Sequence, residues 1–342
     1  MTVAKTKKQE IDFKVLAREL LRSVRGRRSQ DQINRRLGFN FNRVSRWETG
    51  RAEISWPDFV HICKSCRVSV SDAMHKTYST AVEAEDSAAV IRFFKGSLKI
   101  SAFATHLGVS RFTVHRWLSG ETLPTLSQML MIVHQMTATL TLFVDKLLPG
   151  SSPPALLHLT RHEQSLREVI FSHPYVLAAL ACFELDEFKR MQTWSRGILV
   201  QKLRISQHEE DQLIERLTKI KQLRRRGEML EVADMRIDIR NDFAGKNQLR
   251  QYWTRKALDM LLAIRETTKV SQFGFFTYAA SEEARENIRE AYLKFYQEVT
   301  SILDADSGPK TVIQTANFQI LDLDEMNQTL DASSRPALLK RN

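Results

Sequence analysis

Three cysteines in 342 residues, Cys63, Cys66 and Cys182, are too few for a disulfide framework and fit a reducing compartment. No apolar run approaches the roughly 18 to 20 residues that span a bilayer. The first ten residues are polar, carry Lys5, Lys7 and Lys8, and lack the apolar core of a signal peptide. Catalytic signatures are missing too: there is no G-x-x-x-x-G-K loop, no H-E-x-x-H and no G-x-S-x-G. His158, His162 and His173 follow no metal-site spacing. His61 with Cys63 and Cys66 lacks the second ligand pair that zinc requires. These absences predict a cytoplasmic protein that is not an enzyme, with no cofactor, no metal and no membrane partner.

What the first 80 residues lack is acid. They hold 17 Lys and Arg against 8 Asp and Glu, an excess of nine; residues 81–150 and 151–342 each carry an excess of only one. A basic surplus gathered in one region suggests a surface for polyanions. Hydrophobic residues at 43% describe a folded chain, and its length calls for two or three domains.

An internal repeat organises the basic region. At an offset of 70, Leu37, Gly38, Val44, Arg46, Trp47 and Gly50 coincide with Leu107, Gly108, Val114, Arg116, Trp117 and Gly120. Apolar character persists beyond them, pairing Phe59 with Met129 and Ile62 with Ile132. Chance apolar matching would not keep both glycines and an Arg-Trp pair in register. The offset relates the copies without fixing their symmetry.

Each copy reads as short helices broken by tight turns. Val15, Leu16, Leu20 and Val24 recur at helical spacing. Ser29 caps a second helix that ends at Gly38, and Asn40 caps a third in which Val44 and Trp47 face inward before Gly50. In the second copy Gly108 makes the turn, Ser110 caps, and Gly120 closes the helix ahead of Pro124. A glycine turn between two short helices is a helix-turn-helix signature.

These residues resemble the Cro/repressor-type helix-turn-helix family, with its early Gln, turn Gly, small polar cap, Ile or Val and closing Gly. Gln30, Gly38, Asn40, Val44, Glu48 and Gly50 fit the first copy; Gly108, Ser110, Val114, Gly120 and Pro124 fit the second. The second departs at Ile100, where the family's Gln would contact phosphate, and at Leu118, the counterpart of Glu48. The resemblance implies that the third helix of each copy enters the major groove. Phe41, Asn42, Arg43 and Arg46 then face bases: Asn42 suits adenine, the arginines suit guanine and Phe41 suits thymine methyls. Arg27, Arg28, Gln30 and Arg51 suit flanking phosphates, and Asn40 and Ser110 stand at the helix starts. Arg111, Phe112, Thr113, His115 and Arg116 are the second copy's equivalents.

Pro149 to Pro154 reads as a linker. Ser206 and Glu209 make a capping box for a helix bearing Leu213, Leu217 and Ile220. With Gly197–Ser206, an Arg224–Gly227 turn and Met229–Val232, this reads as a degenerate winged helix. Its Glu209-Glu210-Asp211 start would repel phosphates, so it is expected to be a scaffold. A long helix from 246, carrying Leu249, Trp253, Met260, Leu261 and Ile264, precedes a strand at Gln272–Tyr278. A Ser281-capped helix with Ala284, Ile288, Ala291, Phe295, Val299 and Ile302 on one stripe follows, then a strand at Thr311–Leu323. That order predicts a β-α-β unit and a polar, mobile tail. Gly274-Phe275-Phe276-Thr277-Tyr278 and Asn317-Phe318-Gln319-Ile320 resemble a poorly characterised family, covering about 155–325. Its members, expanded as paralogues in some predatory and fibre-degrading bacteria, are taken to be regulators.

The expected fold is mainly α. Helix-turn-helix domains at 11–78 and 86–148 lead through a linker at 149–154 to a degenerate winged-helix domain at 155–240, an α+β unit at 241–326 and a flexible tail at 327–342. The expected function is sequence-specific transcription regulation on double-stranded DNA, as a nucleoid-associated homodimer, with an unidentified effector or protein partner at the C-terminal half. The alternative is an adaptor that uses the same helical units to hold proteins.

Overall fold

The computed structural model describes residues 11–39, 42–78, 80–233, 243–263, 273–274, 277–306 and 308–320. Among them the chain is mainly helical, with one small antiparallel sheet.

The first copy contains α1 (Phe13–Arg25), α2 (Gln30–Arg36), α3 (Arg43–Glu48), α4 (Trp56–Ser65) and α5 (Val70–Tyr78). The second repeats it as α6 (Ser87–Lys95), α7 (Ile100–Leu107), α8 (Arg111–Ser119), α9 (Leu126–Met136) and α10 (Leu140–Leu147). Local chemistry explains the starts. Asp12 accepts from the amides of Lys14 and Val15, Ser29 and Gln32 form a reciprocal capping box, and Ser110 accepts from Thr113 N–H. Gly38 and Gly108 both turn the chain at positive φ, +64° and +65°, where any Cβ would strain the backbone.

The expected cap of α3 is corrected. That helix begins at Arg43 with Asn42 at the N-cap, in the left-handed region at φ +68° and without a side-chain cap bond. Asn40 and Phe41 lie outside the described residues.

One hydrophobic core runs through both copies. Leu20, Ile33, Val44, Trp47 and Trp56 are buried in the first, and their counterparts Val90, Phe103, Val114, Trp117 and Leu126 in the second. Each such side chain contributes about 1.5–3 kcal/mol on burial. The copies join through an antiparallel bridge between Ser55 and Thr125, residues 70 apart and therefore counterparts of each other. Trp56 N–H donates to Pro124 O, and Leu126 N–H donates to Ile54 O, each at 2.9 Å. Exchanging the two copies maps one bond onto the other, which is the mark of a local two-fold axis. Helices α5 and α10, also counterparts, pack against each other, and Thr139 Oγ1 donates to Tyr78 Oη at 3.0 Å.

The segment read as a linker is seated on this core: Pro153 and Leu156 are buried, and Ala155 N–H donates to Glu19 at 3.0 Å. A second core follows, built by α11 (Leu157–Ser172), α12 (Val176–Cys182), α13 (Asp186–Lys189), α14 (Ile198–Leu203), α15 (Gln207–Lys219) and a hairpin of β1 (Leu223–Arg226) and β2 (Met229–Val232). The register pairs Leu223 with Val232 and Arg226 with Met229. Arg224, Arg225 and Arg226 therefore belong to a strand; the turn is confined to Gly227 and Glu228.

Helices α16 (Phe243–Ala263) and α17 (Glu282–Ala305) complete the described structure. Among the described residues the predicted β-α-β unit is not formed. Phe273, Gly274, Thr277, Tyr278 and residues 311–320 are in no strand, and the remainder of the two predicted strands (Gln272, Phe275, Phe276 and 321–323) lies outside the described residues, as do Ile264 and the tail. Alternating apolar residues form a strand only against a partner edge. The late segment instead lies along α16, where Asn317 and Gln319 amides donate to Thr254 Oγ1 at 3.2 and 2.7 Å. The stripe on α17 is covered only in part: Phe318 packs edge-on against Phe295 at 5.1 Å between ring centroids, while Phe295 and Ile302 stay exposed.

Candidate nucleic-acid interface

The first copy holds α3 through a charged cluster that faces inward. Glu48 is only 3% exposed. It accepts from Arg25 Nε at 2.6 Å, Arg25 Nη2 at 3.2 Å and Gln30 Nε2 at 2.7 Å. Arg22 donates to the Glu48 carbonyl, and Asn34 Oδ1, itself buried, accepts from Val44 N–H at 3.2 Å. A buried carboxylate is costly unless its oxygens are satisfied by charged donors, as both are here. The cluster ties the start and end of α3 to α1 and α2, so its orientation is set before any ligand arrives.

Two expected contact residues bond within the protein, Gln30 half-buried and Arg43 still exposed. Gln30 is spent on Glu48 and does not reach outward. Arg43 bonds Asp58 at 3.1 Å and lies over the rings of Phe39 and Trp47, at 4.9 and 5.0 Å from their centroids. Arg28, half-buried, donates to Arg25 O at 3.4 Å, and its own carbonyl accepts from Arg25 Nη1. The other described members of the set face solvent. Arg46 is exposed on α3 and has no ion-pair partner among the described residues; Arg27, Arg51 and Asn42 are exposed as well. Arg35 and Arg36, at the end of α2, add exposed positive charge that the sequence reading passed over.

The second copy keeps the scaffold and loses the charge. Arg92 reaches the carbonyl of Leu118 at 3.5 Å, the counterpart of the Arg22 bond, but Leu118 supplies no carboxylate. Lys95, the counterpart of Arg25, donates instead to the carbonyls of Gly96 and Leu98 at 2.9 and 2.8 Å. Ser110, Arg111, Phe112, His115 and Arg116 are exposed and Thr113 is half-buried, with Phe112 at 67% exposure an open apolar side chain. Arg111 lies 5.1 Å from the Phe112 ring centroid. Arg116 is 3.6 Å from Glu121, which stands where the first copy has Arg51. Position for position, Arg46 stands open beside Arg51 in the first copy, while its counterpart Arg116 is paired with Glu121 in the second.

Sequence reading found the outward residues of α3 and α8 because helical period separates them from Val44 and Trp47. It missed Arg22, Arg25 and Asn34, whose roles depend on where α1 and α2 cross α3. A hint was available: Glu48 is an isolated acid amid arginines.

The acids at the start of α15 have structural work. Glu209 accepts from Ser206 N–H within the predicted capping box, and this bond holds its carboxyl below the usual range. Glu210 is buried and accepts from the amides of Gly197 and Val200, while Asp211 pairs with Arg196. The cysteines are core residues: Cys63, Cys66 and Cys182 are all buried, and burial raises the Cys63 thiol well above its ordinary value and the Cys182 thiol to about 12. Among the described residues, no group of three or more His, Cys, Asp or Glu could hold a metal ion. No helix among them is long and apolar enough to cross a membrane.

The architecture is thus that of a mainly helical chain with a repeated, two-fold-paired N-terminal module and a second core behind it. Residues 160–322, which form most of that second part, match a family model described as a domain of unknown function (DUF4423). No curated protein and no solved structure matches the chain.

Proposed function

We propose that this chain is a sequence-specific DNA-binding transcription regulator, with α2–α3 and α7–α8 as two helix-turn-helix pairs. The observation that carries the reading is Arg46: exposed and without an ion pair among the described residues, on a helix whose opposite face is locked by Val44, Trp47 and Glu48. A guanidinium held in that way suits the O6 and N7 acceptors of guanine. Arg27, Arg36 and Arg51 suit the phosphates on either side, consistent with the basic excess of the first 80 residues. Gln30 and Arg43 take supporting roles, since each is engaged within the protein.

The second part sets geometry or senses a signal. Tyr292, Phe295, Ile302 and Leu303 leave α17 with exposed apolar area that suits a protein partner. The test is selection from a random duplex pool by the full chain, followed by titration of the enriched sequence across a range of salt. The expected result is an enriched motif whose log affinity falls linearly with log salt. Absence of enrichment, with heparin competing as well as any duplex, would favour the adaptor reading.

A further inference from the structure

A regulator of this kind ordinarily needs two copies of its reading unit to cover two half-sites. Here both copies lie in one chain, and the way they join has a consequence for stoichiometry. We infer that a single chain is the complete two-fold reading unit and occupies an inverted pair of unequal half-sites by itself, an inference that rests on the DNA-binding reading above.

The argument starts at the bridge. Ser55 and Thr125 are counterparts, and the bonds that flank them, Trp56 N–H to Pro124 O and Leu126 N–H to Ile54 O, are equal in length and interchangeable on exchange of the copies. Translation along a solenoid would join the end of one unit to the beginning of the next. It would not bring residue i against its own counterpart. The packing of α5 on α10 obeys the same rule. The surface that would pair two separate units is therefore already filled by the chain's own repeat. Duplex DNA has the matching symmetry, so units related by a two-fold axis read an inverted repeat, with half-site centres about 34 Å apart or a multiple of it.

The half-sites cannot be alike, because the reading faces are not. Asn42, Arg43, Arg46 and Arg51 in one copy stand where the other has Phe112, Thr113, Arg116 and Glu121. The first copy suits a polar, guanine-containing half. The second, with open Phe112 and with Arg116 paired to Glu121, suits a weaker half with thymine methyls.

Two measurements on the full chain test this. The first concerns the bridge alone. Ser55 and Thr125 sit at the non-hydrogen-bonded position of an antiparallel pair, where Cα atoms approach to about 4.5 Å, within disulfide reach. Mild oxidation of the Ser55→Cys, Thr125→Cys variant should give a cross-link within one chain; cross-linked pairs of chains would overturn the inference. The second uses a short duplex carrying the selected site, with mass measurement and hydroxyl-radical footprinting. One chain per duplex and two protected patches are expected, with Arg46→Ala exposing one patch and Arg116→Ala the other. Two chains per duplex, or a single patch indifferent to Arg116→Ala, would overturn it. A chain that cross-links internally yet binds no duplex would show that the DNA-binding reading itself has failed and removes this inference with it.

Discussion

The two N-terminal copies are an internal experiment in which one fold is held constant and its charge varied. Both bury an Arg-Trp helix against the same neighbours and both end it on a glycine at positive φ. In the first, orientation of that helix depends on a buried carboxylate with two cationic or amide donors; in the second, on apolar packing around Leu118. The scaffold therefore does not require the ion pair. What the pair adds is a charged tie from the C-terminal end of α3 to α1 and α2.

The comparison is broken most severely by Glu48→Leu, which gives the first copy the residue of the second. It leaves the Arg25 guanidinium largely buried without its partner, and a loss of about 3 kcal/mol is expected. Urea denaturation would register it as a lower midpoint. Arg25→Lys, Glu48→Leu copies both residues of the second unit and should recover most of the loss, because a lysine can turn to nearby carbonyls as Lys95 does. A double variant no more stable than the single one would mean the two copies differ in more than this pair.

Next in size is the contrast between reading faces. Arg46→Ala should weaken binding to the selected sequence by about 2 kcal/mol, roughly 30-fold, as for loss of a bidentate base contact. Arg116→Ala should cost less, since Arg116 is partly neutralised by Glu121. Anisotropy titrations compare them directly, and an equal or larger loss at Arg116 would reverse the ranking of the copies.

Glu121→Arg sharpens the comparison from the other side. It places in the second copy the residue that the first has at Arg51 and frees Arg116. The slope of log affinity against log salt should steepen by about one for the added phosphate contact. An unchanged slope would indicate that this edge of the second copy does not approach the backbone.

The smallest effect is expected in the core. Cys63 has Val133 as its counterpart and Cys66 has Met136, both apolar positions. The Cys63→Val, Cys66→Ala variant should fold and bind within about 1 kcal/mol of the parent, since a nearly volume-conserving change in a packed site is tolerated. Zinc at one ion per purified chain, lost on this substitution together with the fold, would overturn the assignment of these thiols to packing.

Much of this architecture was legible in the residues alone. The repeat, the capping serines, the turn glycines and the inward Val-Trp pairs are encoded within a few positions of one another, because helix starts, stops and faces depend on neighbours three or four residues apart. The basic excess in the first 80 residues was equally plain, since charge is a property of composition. Three matters depended on the tertiary structure. Whether Gln30 and Arg43 bond within the protein was decided by where α3 and α4 bring Glu48 and Asp58, through contacts 15 to 18 residues away in the chain. Whether 273–274, 277–278 and 311–320 become strands turned on the presence of a partner edge, which alternation cannot supply. And the two-fold relation of the copies was decided by the pairing of 54–56 with 124–126, a choice made by the apolar area shared across α4, α5, α9 and α10 and invisible to any window shorter than the repeat itself.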